Sequence, residues 1–169
     1  MSTKESVLYR TYDARGNGGG ETCNTLTGDH QNRITDYTSI VEETDMENNS
    51  VVRRLTPLEC TRLQGYPDGW VDIGDWVDTS GKKHKDADSP KYKALGNSIA
   101  LPFWEWMAAR MVSVLILDGV ENPTMASLFD GIGGFPLVFS RCGCTPVWAS
   151  EIEEFPIAVT KVRFTERRE

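Results

Sequence analysis

Basic side chains are in short supply: 18 Lys and Arg stand against 25 Asp and Glu, leaving a formal net charge of −7 at pH 7. That balance excludes a broad nucleic-acid-binding surface, because phosphate contacts need local Lys and Arg. Any such contact is confined to patches such as Arg53-Arg54 or Lys82-Lys83-His84-Lys85, and the second reads better as a solvated loop. Metal-ligating residues are also scarce. Cys23, Cys60, Cys142 and Cys144, with only His30 and His84 to help, fall in no zinc spacing, so no metal site is expected and the thiols are expected to be free. No apolar run approaches the roughly 18–20 residues of a membrane span. No hydrophobic signal-peptide core follows Met1-Ser2-Thr3-Lys4-Glu5, and an intracellular protein without a membrane partner is expected. What is present, 39% hydrophobic and 25% charged residues in a chain of 169, suits one globular domain or two small ones.

The stretch Met125–Glu151 carries the strongest local pattern. An apolar run, Met125-Ala126-Ser127-Leu128-Phe129, breaks into Asp130-Gly131-Ile132-Gly133-Gly134 and then into a helical segment, Phe135–Cys142, with Gly143 offering a C-cap. A second apolar run, Pro146-Val147-Trp148-Ala149-Ser150, stops at the acid Glu151. This is the first half of a nucleotide-type βαβ unit. Small residues let backbone N–H groups approach a ligand at a helix N-terminus, and an acid ending the next strand can accept hydrogen bonds from ribose hydroxyls. The dinucleotide fingerprint wants a third small residue three places after the second glycine, and Pro136 stands there, which disfavours a nicotinamide cofactor.

Upstream, the first fifty residues are rich in Gly, Asn, Asp and Thr. Gly16-Asn17-Gly18-Gly19-Gly20 lacks the flanking strand and helix of a phosphate cradle and is expected to be a flexible loop. Thr35–Glu42 alternates as a strand does, and Val51-Val52 begins a short one. Thr56, Pro57 and Glu59 form a helix start with a capping box, and Gly65 with Pro67-Asp68-Gly69 ends that helix near Gln64. Asp72–Ser89 reads as a long polar loop interrupted by Trp76 and Val77. From about Ala100 a helix carries Phe103, Trp106, Met107, Met111, Val114 and Leu115 on one face and Trp104, Val112 and Ile116 on the other. A helix apolar nearly all round is expected to be buried. Asp118–Thr124 is the candidate linker, and Phe155–Phe164 a last helix.

Three stretches together resemble the DNA (cytosine-5)-methyltransferase family. Leu128–Phe135 with Trp148-Ala149-Ser150-Glu151 is similar to its first two motifs, Arg54–Glu59 with Arg62–Asp68 to its ninth, and Tyr92–Ala100 with Pro102 to its tenth. The order differs from the family's usual one, since the last motifs precede the first. The resemblance implies an α/β fold, a partial Rossmann-like S-adenosylmethionine-dependent methyltransferase fold with a fragment of the target-recognition region. The expected division is 1–52 recognition-like, 53–117 ninth and tenth motifs, 118–124 linker, and 125–169 the first βαβ portion of the cofactor domain. In that reading the turn Phe129, Asp130, Gly131, Ile132, Gly133 and Gly134 faces the cofactor, with Phe129 on the adenine. Glu151 holds the ribose with Ile152 beside it, and Asn97 and Ser98 meet the methionine end, a role compatible with a plain capped turn. Gln31, Asn32 and Arg33 in the recognition-like loop, together with Arg62, are candidate contacts to double-stranded DNA. Arg62 and Gln64 read as scaffold first.

The family's reaction needs a cysteine thiolate that adds to C6 of a flipped-out base. Its Pro-Cys, Glu-Asn-Val and arginine motifs have no counterpart here: no cysteine follows a proline, and Glu121-Asn122 precedes Pro123 in the linker. The chain is therefore expected to be inactive alone, with no catalytic residue of its own. It would be part of a split or rearranged bacterial or phage enzyme of restriction–modification type, cytoplasmic, whose sheet and nucleophile are completed by a complementary chain or by self-association. The alternatives are a noncatalytic S-adenosylmethionine- or DNA-binding module and an inactive rearrangement relic.

Overall fold

The computed structural model describes residues 10–12, 18–20, 40–44 and 50–165, with side chains from residue 54 onward. Four short strands come first: β1 (Arg10–Tyr12), β2 (Gly18–Gly20), β3 (Ile40–Thr44) and β4 (Ser50–Arg54). They form an antiparallel sheet in the order β2-β1-β3-β4, with Val41 opposite Arg53. The glycines expected to be a loop therefore include a strand, because pairing with β1 satisfies the backbone of Gly18–Gly20 whatever the side chains lack. The strand expected at Thr35–Glu42 lies further on, at Ile40–Thr44, its earlier positions being outside the described residues.

Helix α1 (Pro57–Leu63) begins as its sequence dictates. Thr56 Oγ1 accepts from Glu59 N at 3.2 Å, and the Glu59 carboxylate accepts from Thr56 N at 2.7 Å. Thr56→Ala is expected to cost about 1 kcal/mol, seen as a lower denaturant midpoint at unchanged m-value. The polar stretch after it is more ordered than its composition suggests. Strands β5 (Trp76–Val77) and β6 (Lys83–His84) make a small hairpin, and α2 (Asp88–Gly96) starts where a loop was expected to end. Ion pairs substitute for apolar periodicity here: the buried Lys91 ammonium reaches Asp72 and Asp86, both at 2.9 Å, and Lys85 pairs with Asp75.

Helix α3 (Leu101–Leu117) corrects the sequence reading most clearly. Only Leu101, Ala108 and Val112 are buried along it, whereas Phe103, Trp106, Met111, Val114, Leu115, Ile116 and Leu117 are exposed, the last at 85%. The helix packs on its neighbour through its first turns, and Ser113–Leu117 run past the described body with no element over them. Arg110 covers part of the face by stacking on Trp106, 3.4 Å from its ring centre.

After the linker come β7 (Thr124–Leu128), α4 (Gly134–Arg141), β8 (Thr145–Ser150) and α5 (Glu154–Thr165). β7 and β8 pair in parallel, Leu128 beside Ser150, joined by the α4 crossover that parallel strands require. Gly143, at φ 88°, follows the C-cap residue Cys142 and closes α4 in the left-handed conformation that glycine favours there. Parallel sheets are normally covered on both faces, yet Leu128, Val147 and Trp148 are exposed and β7 has a single neighbour among the described residues.

One core joins the two halves of the chain. Leu55, Cys60, Tyr66, Trp70, Leu95 and Leu101 pack with Ile132, Leu137, Val138, Phe155 and Val159. Hydrogen bonds reinforce the joint: Trp70 Nε1 donates to Ile132 O at 2.8 Å, and Arg163 donates to the carbonyls of Gly69, Trp70 and Asp72. Arg163→Met keeps much of the packing and takes the donor from the part-buried carbonyls of Gly69 and Trp70 and from the exposed carbonyl of Asp72, so the melting temperature should fall by a few degrees, below the scale of about 1–3 kcal/mol per fully buried unsatisfied group.

Candidate functional site

The turn between β7 and α4 is built for close backbone approach. Asp130 N donates to Ser150 O at 2.9 Å, and Gly133 N donates back to Asp130 O at 3.1 Å, curling the chain tightly. Phe129 has φ 54°, a left-handed conformation costing a non-glycine residue about 1–3 kcal/mol. Its side chain is held outward, 78% exposed. Strain of that kind, spent on presenting an aromatic ring to solvent, is characteristic of a ligand clamp.

Glu151 organises the facing side. Its Oε2 accepts from Gly131 N at 2.6 Å, and its Oε1 accepts from Ile152 N at 2.7 Å and Glu153 N at 2.9 Å. A carboxylate offers about four lone-pair sites. Three are taken by these amides, and the fourth, on Oε2, is open to a hydroxyl donor.

A cleft of about 620 Å³ lies between these elements, lined by Phe129, Gly131, Glu151 and Ile152, by Asn97 and Lys93 of the α2 end, and by Trp76 and Phe155. Its charged groups are mainly acidic: Glu151, Glu153 and Glu154, with Lys93 paired to Glu153 at 2.9 Å. Thr79 donates twice to the Glu154 carboxylate, which holds that group below its usual range. Such a lining suits a cationic ligand and opposes a polyphosphate. The size, the open carboxylate site and the acidic lining all fit S-adenosylmethionine, a cation with a ribose and a purine.

The residues expected to face the cofactor divide into two groups. Phe129, Gly131, Glu151, Ile152 and Asn97 line the cleft together. Ser98 instead bonds the Tyr66 hydroxyl at 2.5 Å, and burial raises the pKa of that phenol. Asp130 and Ile132 do not line the cleft with their side chains, which are only 6% and 0% exposed because the tight turn sends alternate side chains into the core. Gly133 and Gly134 are buried too: Gly133 lies against Phe164 of α5 within the same half, and Gly134 lies against Tyr66 and Ile99 across the joint between the halves. Arg62 makes a two-pronged ion pair with Asp68, at 2.8 and 2.7 Å. Gln31, Asn32, Arg33 and Cys23 lie outside the described residues, while Cys142 and Cys144 are free thiols. Trp76 and Lys93 went unassigned in the sequence, where an isolated Trp in a polar loop was the one available signal.

Asp130 is a buried acid without an evident use. Its Oδ1 and the Ser127 hydroxyl are buried with no hydrogen-bond partner among the described residues. Burial raises its pKa, an effect that nearby Ser127 reduces and the Glu151 charge augments. A carboxyl with a folded pKa above its unfolded value contributes most at low pH and loses stability as pH rises through the folded pKa. Asp130→Asn should therefore melt higher than the parent at pH 7, and the gap should close as pH falls toward the unfolded carboxylate value of about 3.9. A gap independent of pH would contradict this.

Comparison with known proteins decides the family. The family described as C-5 cytosine-specific DNA methylase matches residues 3–113, well over half of the chain. The chain belongs to the C-5 cytosine-specific DNA methylase family. That match ends within α3, so the glycine turn and Glu151 lie beyond it. Similar proteins include the DNA N-6-adenine-methyltransferase of Escherichia phage P1, 37% identical over an 83-residue alignment, with 38% of this chain and 11% of that protein covered. The Type II methyltransferase M.HgiCI of Herpetosiphon aurantiacus is 30% identical over 96 residues, 57% of this chain and 18% of that protein. The Type II methyltransferase M.HpaII of Haemophilus parainfluenzae is 38% identical over 77 residues, 46% of this chain and 18% of that protein. The chain thus spans less than a fifth of the length of these relatives. Members of the family generally use S-adenosylmethionine, and membership implies the α/β methyltransferase fold, with which the helices and small sheets here agree.

Proposed function

We propose that the chain is the cofactor-binding and bracing part of a DNA (cytosine-5)-methyltransferase. In this reading residues 125–169 form the start of a Rossmann-like domain, joined by a linker at 118–124 to the brace at 53–117, with residues 1–52 the end of a recognition region contacting double-stranded DNA. The observation that carries it is the cleft in which Phe129, Gly131, Glu151 and Asn97 converge. Bound there, S-adenosylmethionine would supply an activated methyl group. The chain's own residues bind and orient: Glu151 Oε2 accepts a ribose hydroxyl, Phe129 and Ile152 exclude water from the purine, and Asn97 at the C-cap of α2 borders the amino-acid end.

The nucleophilic thiolate would come from another chain, either a complementary methyltransferase polypeptide or a second copy contributing to a joint assembly. The exposed face of β7–β8 and the side of β7 that has no neighbour among the described residues support the complementary chain, because a parallel strand and its helix would cover both. The target atom is cytosine C5 on the strength of the family match, and a cytoplasmic bacterial or phage setting follows from the same reading.

Equilibrium dialysis tests the cofactor assignment. S-adenosylmethionine should bind saturably and S-adenosylhomocysteine should displace it, while NAD and ATP should not. Displacement by ATP, or no saturable binding by the folded chain, would contradict it. Light scattering after size exclusion tests the partner: a heat-stable, well-behaved monomer would count against a surface that needs covering.

A further inference from the structure

The hairpin β5–β6 sits in the segment that composition marks as a polar loop, and nothing in the family match gives it a role. Its one large aromatic residue, Trp76, lines the same cleft as Phe129 and Glu151. Building on the cofactor reading above, we propose that Trp76 is a second aromatic wall of the cleft and a specificity-determining contact for the planar ring of an adenosine-bearing ligand.

Three observations converge on this. First, the indole is fixed. It stacks on the His84 imidazole, with ring centroids 4.2 Å apart and planes 12° from parallel, and meets Phe155 edge-on at 5.5 Å. His84 is itself held by Asp78 at 2.8 Å. With one face taken by the imidazole and part of the ring against Phe155 and the core, the indole surface that still lines the cleft is what Trp76 offers to a ligand.

Second, the hairpin is tied to the cleft floor and not left as a loose flap. Thr79 N and Oγ1 donate to Glu154 at 2.8 and 2.5 Å, and Glu154 opens α5, directly after the Glu151 loop. Lys85 and the Asp86 amide both reach Asp75, one residue before Trp76. A rigid aromatic contact is made with little loss of side-chain entropy on binding.

Third, the lining chemistry leaves the purine as the part to be recognised. The open Glu151 site takes a hydroxyl and the acidic side chains favour positive charge. The apolar surface available to a flat ring comes from Phe129, Ile152, Pro156 and Trp76. Base–aromatic stacking is sequence-tolerant but strong enough to matter, at about 1–3 kcal/mol per base.

The test uses the full chain with S-adenosylmethionine, S-adenosylhomocysteine, adenosine and methionine as probes, read by calorimetry and by tryptophan emission. Trp76→Ala should weaken the adenosine-bearing ligands about tenfold, toward the lower end of that stacking contribution, and Trp76→Phe should recover part of the loss. Tryptophan quenching by adenosine should be reduced in Trp76→Phe, which retains the hairpin and reports on the ring contact even if Trp76→Ala does not fold. Thr79→Ala, which loosens the hairpin by removing its side-chain donor to Glu154, should weaken the same ligands to a smaller extent. Parent-like affinity and quenching in Trp76→Phe, together with parent-like affinity in a folded Trp76→Ala, would overturn the proposal. If Glu151→Ala loses binding while both Trp76 variants keep it, this inference fails and the cofactor reading stands. If the parent chain binds none of the adenosine probes, both fall.

Discussion

Gly134→Ala should be among the most damaging single-methyl changes in the described part of the chain. An added Cβ there would collide with the Tyr66 hydroxyl and would lie 2.8 Å from Ile99 Cγ1. Neither neighbour can yield cheaply: Tyr66 is buried and bonded to Ser98, and Ile99 leads into α3. Overpacking of a tight core costs about 1–3 kcal/mol, and breaking the Tyr66–Ser98 bond adds about 1–3 kcal/mol for the group left unsatisfied. At roughly 2–4 °C per kcal/mol for a chain of this size, the middle of that combined range, about 4 kcal/mol, corresponds to a drop of roughly 8–16 °C in melting temperature. Gly69→Ala is the control, since its φ of 72° imposes strain but its Cβ meets nothing within 4 Å. If the two variants melt together, Gly134 is not the contact at which the two halves lock.

Glu151→Ala should abolish most cofactor binding by two routes. It removes the acceptor for the ribose, a charge-assisted hydrogen bond worth about 1.5–3 kcal/mol, or roughly 10–150-fold in affinity. It also releases the amides of Gly131, Ile152 and Glu153, so the turn and the acidic loop lose the carboxylate that holds them together. The combined loss should exceed 100-fold by calorimetry, with a modest fall in stability. Glu151→Gln separates the routes: its single amide oxygen can satisfy some N–H donors, but its NH₂ faces others, so binding should be intermediate. Equal affinity in all three proteins would remove Glu151 from the site.

Where local chemistry determined local structure, the sequence was readable. The Thr56-Pro57-Glu59 cap, the Gly143 C-cap and the strand–turn–helix–strand of Met125–Glu151 appear with bounds shifted by a residue or so. The choice among turn residues was less legible. Phe129, Gly131 and Glu151 face the cleft while Asp130, Ile132, Gly133 and Gly134 face the core, a division set by what packs beneath the turn. Helix α3 shows the opposite limit. Its apolar periphery says that something should cover it, and no pattern in the sequence says whether the cover is in the same chain. The hairpin at Trp76 was hidden because long-range ion pairs and the Thr79–Glu154 tie order it, and neither leaves a periodic trace.

The central claim is that the glycine turn, the Glu151 loop and the end of α2 form one S-adenosylmethionine site, and an amide NMR titration of the chain with that cofactor addresses it directly. The account predicts saturable shifts concentrated at Phe129, Gly131, Ile152 and Asn97, with Lys161 and the outer residues of α3 unmoved. Shifts absent from these amides, or gathered on another surface, would contradict it.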